Sequence, residues 1–185
     1  MDDFVGRKNL IPPERLRALS TRSDWAGSLQ MASHALAIVV TGVALHLTWG
    51  SAWAVIPFVL HGIVLNYLFA AQHELNHYTA FKTRWPNDFL NRITGFIILY
   101  PRDYERWFHF EHHRYTQDWN KDPELLIRGG PYSLSTYLPY LLGITYWTGR
   151  IKRIFVIALG ETAEYFTEKQ SKQIIWESRA YLVAY

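Results

Sequence analysis

The longest stretch without a charged side chain most constrains what this chain can fold into. Between Trp25 and Gln72 the sequence contains no Asp, Glu, Lys or Arg. A hydrocarbon core about 30 Å thick needs about 20 helical residues for each crossing. The stretch is therefore long enough for two crossings, which we predict near residues 30–49 and 52–72 with a turn at residues 49–51.

A soluble hairpin and a signal peptide both fit the apolar stretch less well. A buried hairpin in a soluble protein would need two consecutive helices without a charged face, which soluble cores rarely contain. A signal peptide has a shorter apolar run and a shorter polar leader than residues 1–24 provide. We therefore expect an all-α integral membrane protein built on one transmembrane helical hairpin. Within it, His34, His46 and His61 are expected to hydrogen-bond to the neighbouring helix.

The composition excludes several other classes of protein. The chain has no cysteine, so disulfides, iron–sulfur clusters and thiolate metal sites are ruled out. The formal charge of +3 is small, and the basic residues form no arm or stripe of the kind that binds nucleic acid. The 8 Trp and 12 Tyr residues agree with contact to a membrane interface. Any bound metal must therefore have nitrogen and oxygen ligands.

The distribution of basic residues predicts the orientation in the membrane. Residues 1–24 and 78–131 are rich in Lys and Arg, whereas the turn between the two apolar helices carries no charge. The positive-inside rule then places both basic segments in the cytoplasm. Pro12, Pro13 and Glu14 predict the start of a short amphipathic helix on the membrane surface.

The remainder of the chain is expected to lie beneath the membrane. Short apolar patches at residues 93–100, 137–147 and 154–159 cannot span a bilayer, so interfacial or re-entrant helices are predicted. Residues 161–179 predict a polar helix, and residues 180–185 the start of a further membrane helix. We thus expect one domain, residues 1–185. It would comprise a cytoplasmic amphipathic segment at 1–24, the membrane hairpin at 30–72, a histidine-rich region at 73–131 and interfacial helices at 132–179.

Two histidine clusters indicate the chemistry. His73 and His77 are four residues apart and share one face of a helix. His109, His112 and His113 follow the i, i+3, i+4 spacing and share another. Histidine is the commonest neutral metal ligand, and five imidazoles are too many for one closed tetrahedral site. The clusters therefore predict more than one metal ion near the cytoplasmic end of the hairpin.

The first cluster by itself has a second interpretation. His73, Glu74 and His77 also match the HExxH motif of zinc proteases, in which Glu74 would be the general base. That interpretation leaves the second cluster without a role. A metal at a membrane surface suits chemistry on a lipid chain, and attack on an unactivated C–H bond needs a redox metal such as iron rather than zinc.

The motifs around both clusters resemble the first two histidine boxes of the membrane fatty acid desaturase family. The resemblance is carried by His73–His77 followed by Ala80 and Phe81, by residues 107–116 around the second cluster, and by Asp122-Pro123-Glu124. It implies a helical membrane protein with two non-heme irons that activate dioxygen to remove hydrogens from an acyl chain. It also implies an electron donor of the ferredoxin or cytochrome b5 type with its reductase.

The resemblance assigns roles residue by residue. The positions that match the family's iron ligands are His73, His77, His109, His112 and His113. Carboxylates near them are possible hydrogen-bond acceptors for the ligating rings: Glu74, Glu111, Asp118 and Asp122. Asp118 and Asp122 also fit a second role as cap and turn residues around Pro123.

The sequence departs from the family pattern at one point. The family has a third histidine box after a second pair of membrane helices, whereas no histidine follows His113 here. We therefore expect the chain to be an incomplete portion of a longer enzyme that binds iron weakly and does not desaturate by itself. Fatty acyl, lipid and carotenoid hydroxylases share the boxes, and a non-catalytic membrane protein is the further alternative.

Overall fold

The structure is a computed structural model that describes residues 11–128 and 133–185. Within these residues every regular element is helical, which agrees with the expected fold class. The predictions for residues 1–10 and 129–132 lie outside the described residues. The α-helices are α1 (Pro13–Leu19), α2 (Asp24–Thr48), α3 (Val55–Asn66), α4 (Leu68–Asn76), α5 (Arg84–Ile97), α6 (Arg102–Tyr115), α7 (Pro123–Arg128), α8 (Leu134–Leu141), α9 (Ile144–Ala158) and α10 (Glu168–Ala184).

The apolar stretch forms the predicted hairpin. Helix α2 begins after Ser23, whose Oγ accepts a hydrogen bond from the Ala26 amide. The chain turns at Gly50, whose φ of 88° is readily adopted only by glycine. A 3₁₀ turn at Ala52–Ala54 then leads into α3 and α4. Two segments in this part of the chain, Pro13–Thr48 and Ala52–Asn76, are long and apolar enough to cross a membrane.

Two of the three hairpin histidines, His34 and His61, connect the two arms of the hairpin as predicted. The His34 Nε2 atom lies 2.9 Å from the carbonyl oxygen of Val64. The His61 Nδ1 atom lies 2.8 Å from the Thr41 hydroxyl. Each contact pairs a polar ring with a group on the opposite arm, so neither imidazole is left unsatisfied in an apolar surrounding.

Helix α5 is amphipathic, with its polar face buried and its apolar face exposed, which is the reverse of a surface helix in a soluble protein. Its inward face carries Asn87, Asn91 and Thr94, all at most 2% exposed. Its outward face carries large apolar side chains that are 41–68% exposed: Trp85, Phe89, Ile93 and Ile97. An apolar surface of this extent needs an apolar partner, and a membrane supplies one.

A small core joins the helices that follow the hairpin. Its buried members include Tyr104 and Phe108 of α6, Ile157 of α9 and Ile174 of α10. Arg150 of α9 is also buried and donates from Nη1 to the carbonyl oxygen of Ile98 at 2.7 Å. These contacts fix α6 against α9 and α10, and α6 carries the second histidine cluster.

The later elements follow the sequence predictions in part. The patch at 93–100 includes the end of α5, and the patch at 137–147 is divided at Gly143, whose φ is 73°. The patch at 154–159 is the end of α9. The polar helix predicted from residue 161 begins only at Glu168, where Thr167 and Gln170 form a capping box. Residues 180–184 continue α10.

Candidate metal centre

Helices α4 and α6 bring the two histidine clusters together. The candidate ligand atoms of His73, His77, His109 and His113 all lie within 4.8 Å of one another. His73 and His77 occupy the C-terminal end of α4, where the second apolar segment ends. His109 and His113 lie one turn apart on the face of α6 that meets them.

Three imidazole nitrogens converge most closely. The His109 Nε2 atom lies 2.9 Å from the Nε2 atoms of both His77 and His113, which are themselves 3.2 Å apart. Burial, reinforced by the neighbouring histidines, lowers the pKa of His109 to about 3 and also lowers the pKa of His77. These two rings are therefore neutral at physiological pH, and each retains a nitrogen lone pair.

This triangle of nitrogens fits a metal better than it fits a hydrogen-bond network. A neutral imidazole has only one N–H, so three mutually adjacent Nε2 atoms cannot all be paired by well-aligned hydrogen bonds. A zinc-sized divalent ion holds imidazole nitrogens at about 2.1 Å, which puts two such nitrogens at right angles about 3 Å apart. The spacing of the three atoms is therefore that of ligands on a common ion.

His112 has a different environment from the other four histidines. Its Nδ1 atom lies 2.8 Å from Oδ1 of Asp122, a carboxylate that is fully buried. Asp122 also accepts hydrogen bonds from the backbone amides of Glu124 and Gln117. A carboxylate on Nδ1 is the usual partner of a histidine that binds metal through Nε2. The structure thus holds His112 next to the group of four without including it.

The other three candidate carboxylates contact partners other than histidine. Glu74 accepts a hydrogen bond from the Thr79 hydroxyl at 2.6 Å. Glu111 forms an ion pair with Arg114 at 2.9 Å. Asp118 accepts from the Asn120 amide and serves as a turn residue. Of the four carboxylates, Asp122 alone hydrogen-bonds to an imidazole among the described residues.

The chain leaves α4 abruptly after the second histidine. Tyr78, the residue after His77, has a φ of 56°, a left-handed conformation that is uncommon outside glycine. The Tyr78 hydroxyl donates to Asp88 of α5, which also pairs with Arg102 of α6. These contacts hold the end of α4 in place against both neighbouring helices.

Arg106 is a residue that sequence reasoning did not single out. Its guanidinium lies over the rings of Tyr78 and Phe110, at 4.5 and 5.0 Å from their centres. It also donates to the carbonyl oxygen of Asn76 at 3.3 Å. Arg106 therefore contacts the residues on either side of His77 and the residue that follows His109. No local signal predicts this role, because Asn76 and Arg106 are 30 residues apart in the sequence.

The chain is similar to two curated proteins named sn-1 oleoyl-lipid 12-desaturase. It is 23% identical to that of Anabaena variabilis over 148 residues, which cover 75% of this chain and 41% of the relative. It is 28% identical to that of Arthrospira platensis over 158 residues, covering 77% and 44%.

The chain spans less than half the length of these curated relatives. No solved structure is significantly similar to it. The family model described as fatty acid desaturase matches residues 49–185, from the hairpin turn through both histidine clusters to the end of α10. The chain therefore belongs to the fatty acid desaturase family.

Proposed function

We propose that this protein is a membrane-bound, dioxygen-dependent oxidoreductase that introduces a double bond into the acyl chain of a fatty acid or lipid at a histidine-ligated di-iron centre. The convergence of four imidazoles at the end of an apolar hairpin carries the proposal. Membership of the desaturase family and the similarity to two proteins named as lipid desaturases support it.

The proposed iron ligands are the histidines His73, His77, His109, His112 and His113. Bound iron would supply the activation of dioxygen and the removal of hydrogen from the acyl chain. Burial keeps His77 and His109 neutral, so their lone pairs are available for a metal. Asp122 would orient the His112 ring through Nδ1. Because the described residues bring four imidazoles into one group, a second iron needs donors in addition to these.

The proposed reaction also defines its partners. Forming a C=C bond removes two hydrogens from the chain, and reducing dioxygen to two waters consumes two further electrons and two protons. Those electrons must come from outside, so the proposed partner is a ferredoxin or cytochrome b5-type donor with its reductase. Hydroxylation of the same chain begins with the same removal of hydrogen, and the two outcomes are distinguished by the product.

We also propose the membrane arrangement inferred from the sequence. The hairpin would span the bilayer with the histidine clusters and the N-terminus in the cytoplasm, and residues 1–185 would form one domain. The outward apolar faces of α5 and α9 would lie in the membrane interface. On α9 this face includes Ile151, Phe155 and Leu159, which are 44–81% exposed. The inward polar face of α5 supports this arrangement.

The experiment that tests the function combines metal and product analysis. The protein is expressed in a host that lacks its own desaturase, with an electron donor and reductase, and its lipids are analysed. The 185-residue chain is expected to bind iron weakly and to form no unsaturated product by itself, because a second iron needs further donors. With those donors present, iron and an unsaturated product are expected, and His109→Ala should abolish both. His46→Ala, outside the cluster, is the control. One zinc per chain without iron would favour the metalloprotease, and absence of any metal would favour a non-catalytic membrane protein.

A further inference from the structure

A group of basic side chains surrounds the start of α2, outside the histidine cluster. Arg15 and Arg17 lie on α1, and Arg22 lies just before α2. Lys82 and Arg84 lie at the start of α5, and all five side chains are exposed. We call these five residues the basic patch.

Tertiary contacts bring the two parts of the basic patch together. The Asp24 carboxylate accepts hydrogen bonds from the Thr83 amide at 2.8 Å and from the Thr83 hydroxyl at 2.6 Å. A Cβ atom on Gly27 would lie 2.3 Å from the Ala80 carbonyl oxygen, so α2 packs directly against the chain that leads into α5. Asp24 and Thr83 are 59 residues apart, and Thr83 stands between the two basic residues of α5.

The positive charge of the chain is concentrated at this place. Residues 11–24 and 82–84 contain the five basic side chains and two acidic ones, Glu14 and Asp24. Their net charge therefore equals the formal charge of +3 of the whole chain, and the remaining residues are neutral in sum. A local excess of positive charge on an otherwise balanced chain favours an anionic partner.

Exposed tryptophans indicate that the basic patch lies at the level of a membrane interface. Trp25 and Trp85 adjoin the contact between Asp24 and Thr83 and are 77% and 68% exposed. At about 1.5 Å per residue, Trp25 lies about 36 Å along α2 from Trp49, slightly more than a hydrocarbon core about 30 Å thick. Tryptophans at both ends of a spanning helix are typical of the two interfaces.

Helix α1 presents an apolar face beside the basic patch. Leu16 and Leu19 are three residues apart on one face and are exposed, and no residue of α1 is buried. By the helical period, Arg15 and Arg17 lie on either side of this face, and Glu14 lies opposite to it. Leucines between two arginines are the arrangement of a helix that lies in a membrane surface with its basic side chains extended to the headgroups.

These features distinguish a lipid surface from other anionic partners. An acidic protein or a nucleic acid would satisfy the arginines but would leave Leu16 and Leu19 in water. A membrane that contains anionic lipids satisfies both, because headgroups and acyl chains meet at the same interface.

We propose that the basic patch binds anionic lipid headgroups and thereby holds α1 flat on the membrane. Leu16 and Leu19 would enter the acyl region, while the five basic side chains would contact lipid phosphates. This inference rests on the membrane location within the proposed function and is independent of the metal and the reaction.

A label on α1 tests the inference. The chain has no cysteine, so Ser20→Cys carries one fluorophore, one residue beyond Leu19. The labelled protein is placed in nanodiscs of phosphatidylcholine, with or without phosphatidylglycerol of the same acyl chains. Quenching by a lipid-attached quencher should be strong only with phosphatidylglycerol, should weaken at high salt, and should be equally strong with phosphatidylserine.

Three results would contradict the inference. These are equal quenching in neutral and anionic discs, a response to only one of the two anionic lipids, and protection of the label from a water-soluble quencher only when an acidic electron carrier is added. The last result would assign the basic patch to a protein partner.

Charge variants locate the binding. Each basic side chain near an anionic surface contributes about fivefold to the binding constant, so replacing Arg15, Arg17 and Arg22 together by Gln should weaken the association of α1 about 100-fold. Replacing Lys121, Lys169 and Lys172 by Gln removes the same charge elsewhere and should change nothing. All six side chains are exposed, so neither variant is expected to unfold. Equal losses in the two variants would show that only net charge matters and would overturn the assignment.

A single substitution tests the tertiary part of the basic patch. Lys82→Gln changes a residue far from α1 in the sequence, yet it should weaken the association of α1 about fivefold. An unchanged association would contradict a shared surface.

A further variant separates this inference from the proposed function. His109→Ala should lose iron yet respond to anionic lipid as the unmodified protein does, because the basic patch and the histidine cluster share no residue. Loss of the lipid response in His109→Ala would contradict an independent surface. The membrane location is scored separately, by whether the protein stays with the membrane fraction after an alkaline wash.

Discussion

At the scale of single residues, two buried carboxylates, Asp122 and Glu105, have pKa values that are shifted in opposite directions. Burial alone would raise the pKa of Asp122, but hydrogen bonds from His112 and from two backbone amides lower it overall. Burial raises the pKa of Glu105 to about 8, and its Oε2 atom has no hydrogen-bond partner among the described residues. The surroundings of Asp122 therefore stabilise its ionised form, whereas ionisation of Glu105 costs free energy.

Asp122→Asn should weaken metal binding. The change keeps the shape of the side chain but replaces a charged acceptor on His112 Nδ1 with a neutral one. Loss of such a partner typically costs about 10–100-fold in metal affinity, and we expect about tenfold here. Iron binding is measured by competition with a chelator. Asp118→Asn, which loses only a contact to a loop amide, is the control, and equal affinities in the two variants would contradict a role for Asp122.

Glu105→Gln should stabilise the protein in a pH-dependent way. The folded pKa of about 8 lies above the ordinary glutamate value of 4.5, so the folded state binds the proton more tightly than the unfolded state. The free energy of unfolding therefore falls as the pH rises from about 4.5 to 8, and this group does not change it below pH 4.5. The Glu105→Gln variant has no carboxyl group to ionise and does not lose this stability. Its thermal midpoint of unfolding should therefore exceed that of the unmodified protein at pH 8.5 but not at pH 4.

The control for this prediction is Glu164→Gln, at an exposed position in the loop before α10. That change should leave the midpoint unaltered at both pH values. An equal gain for Glu105→Gln at pH 4 and pH 8.5 would show that the gain comes from improved packing rather than from removal of a buried charge.

At the scale of elements, the contact between α4 and α5 includes a close approach at one small residue, Gly95. A Cβ atom on Gly95 would lie 2.5 Å from the Tyr100 carbonyl oxygen and 2.8 Å from the Gln72 Nε2 atom. The same Gln72 nitrogen donates to the Tyr100 carbonyl at 2.8 Å. Gln72 precedes His73, so the close approach at Gly95 positions the first histidine cluster.

Gly95→Ala should destabilise the protein by about 1–3 kcal/mol, because the added methyl group must displace backbone atoms. The measurement is the thermal midpoint in detergent. Gly149→Ala is the matched control, since a Cβ at Gly149 of α9 meets nothing within 4 Å. Alanine is favoured over glycine inside a helix by up to about 1 kcal/mol, so that control should be neutral or slightly stabilised. Equal midpoints in the two variants would contradict the packing argument.

At the scale of the whole molecule, the outward surface is apolar on the hairpin and on one face each of α5 and α9. The chain has no cysteine, so single cysteines placed on this surface carry a label at one defined position. Labels at Ile93 of α5 and Ile151 of α9 should be quenched by lipids that carry a quencher, because both positions are on the proposed interfacial faces. A label at Glu161 should instead be quenched by a water-soluble quencher.

Labels also test the orientation. A cysteine at Ser51, in the uncharged turn, should react only from outside the cell, and one at Lys121 only from the cytoplasm. Reaction of both positions from the same side would contradict the proposed arrangement, in which the hairpin crosses the membrane twice and the histidine clusters are cytoplasmic.

The sequence by itself determined the features that depend on local properties. The two helices long and apolar enough to cross a membrane follow from the length of a charge-free run. The sharing of a helix face by each histidine cluster follows from the helical period. The tertiary structure decided the rest. It directs His112 to Asp122, places Arg106 over Tyr78, and joins Glu177 to the Asp103 amide. Asp103 and Glu177, for example, are 74 residues apart. Such contacts depend on how the helices pack against one another, and the helical periodicity of the sequence does not encode that packing.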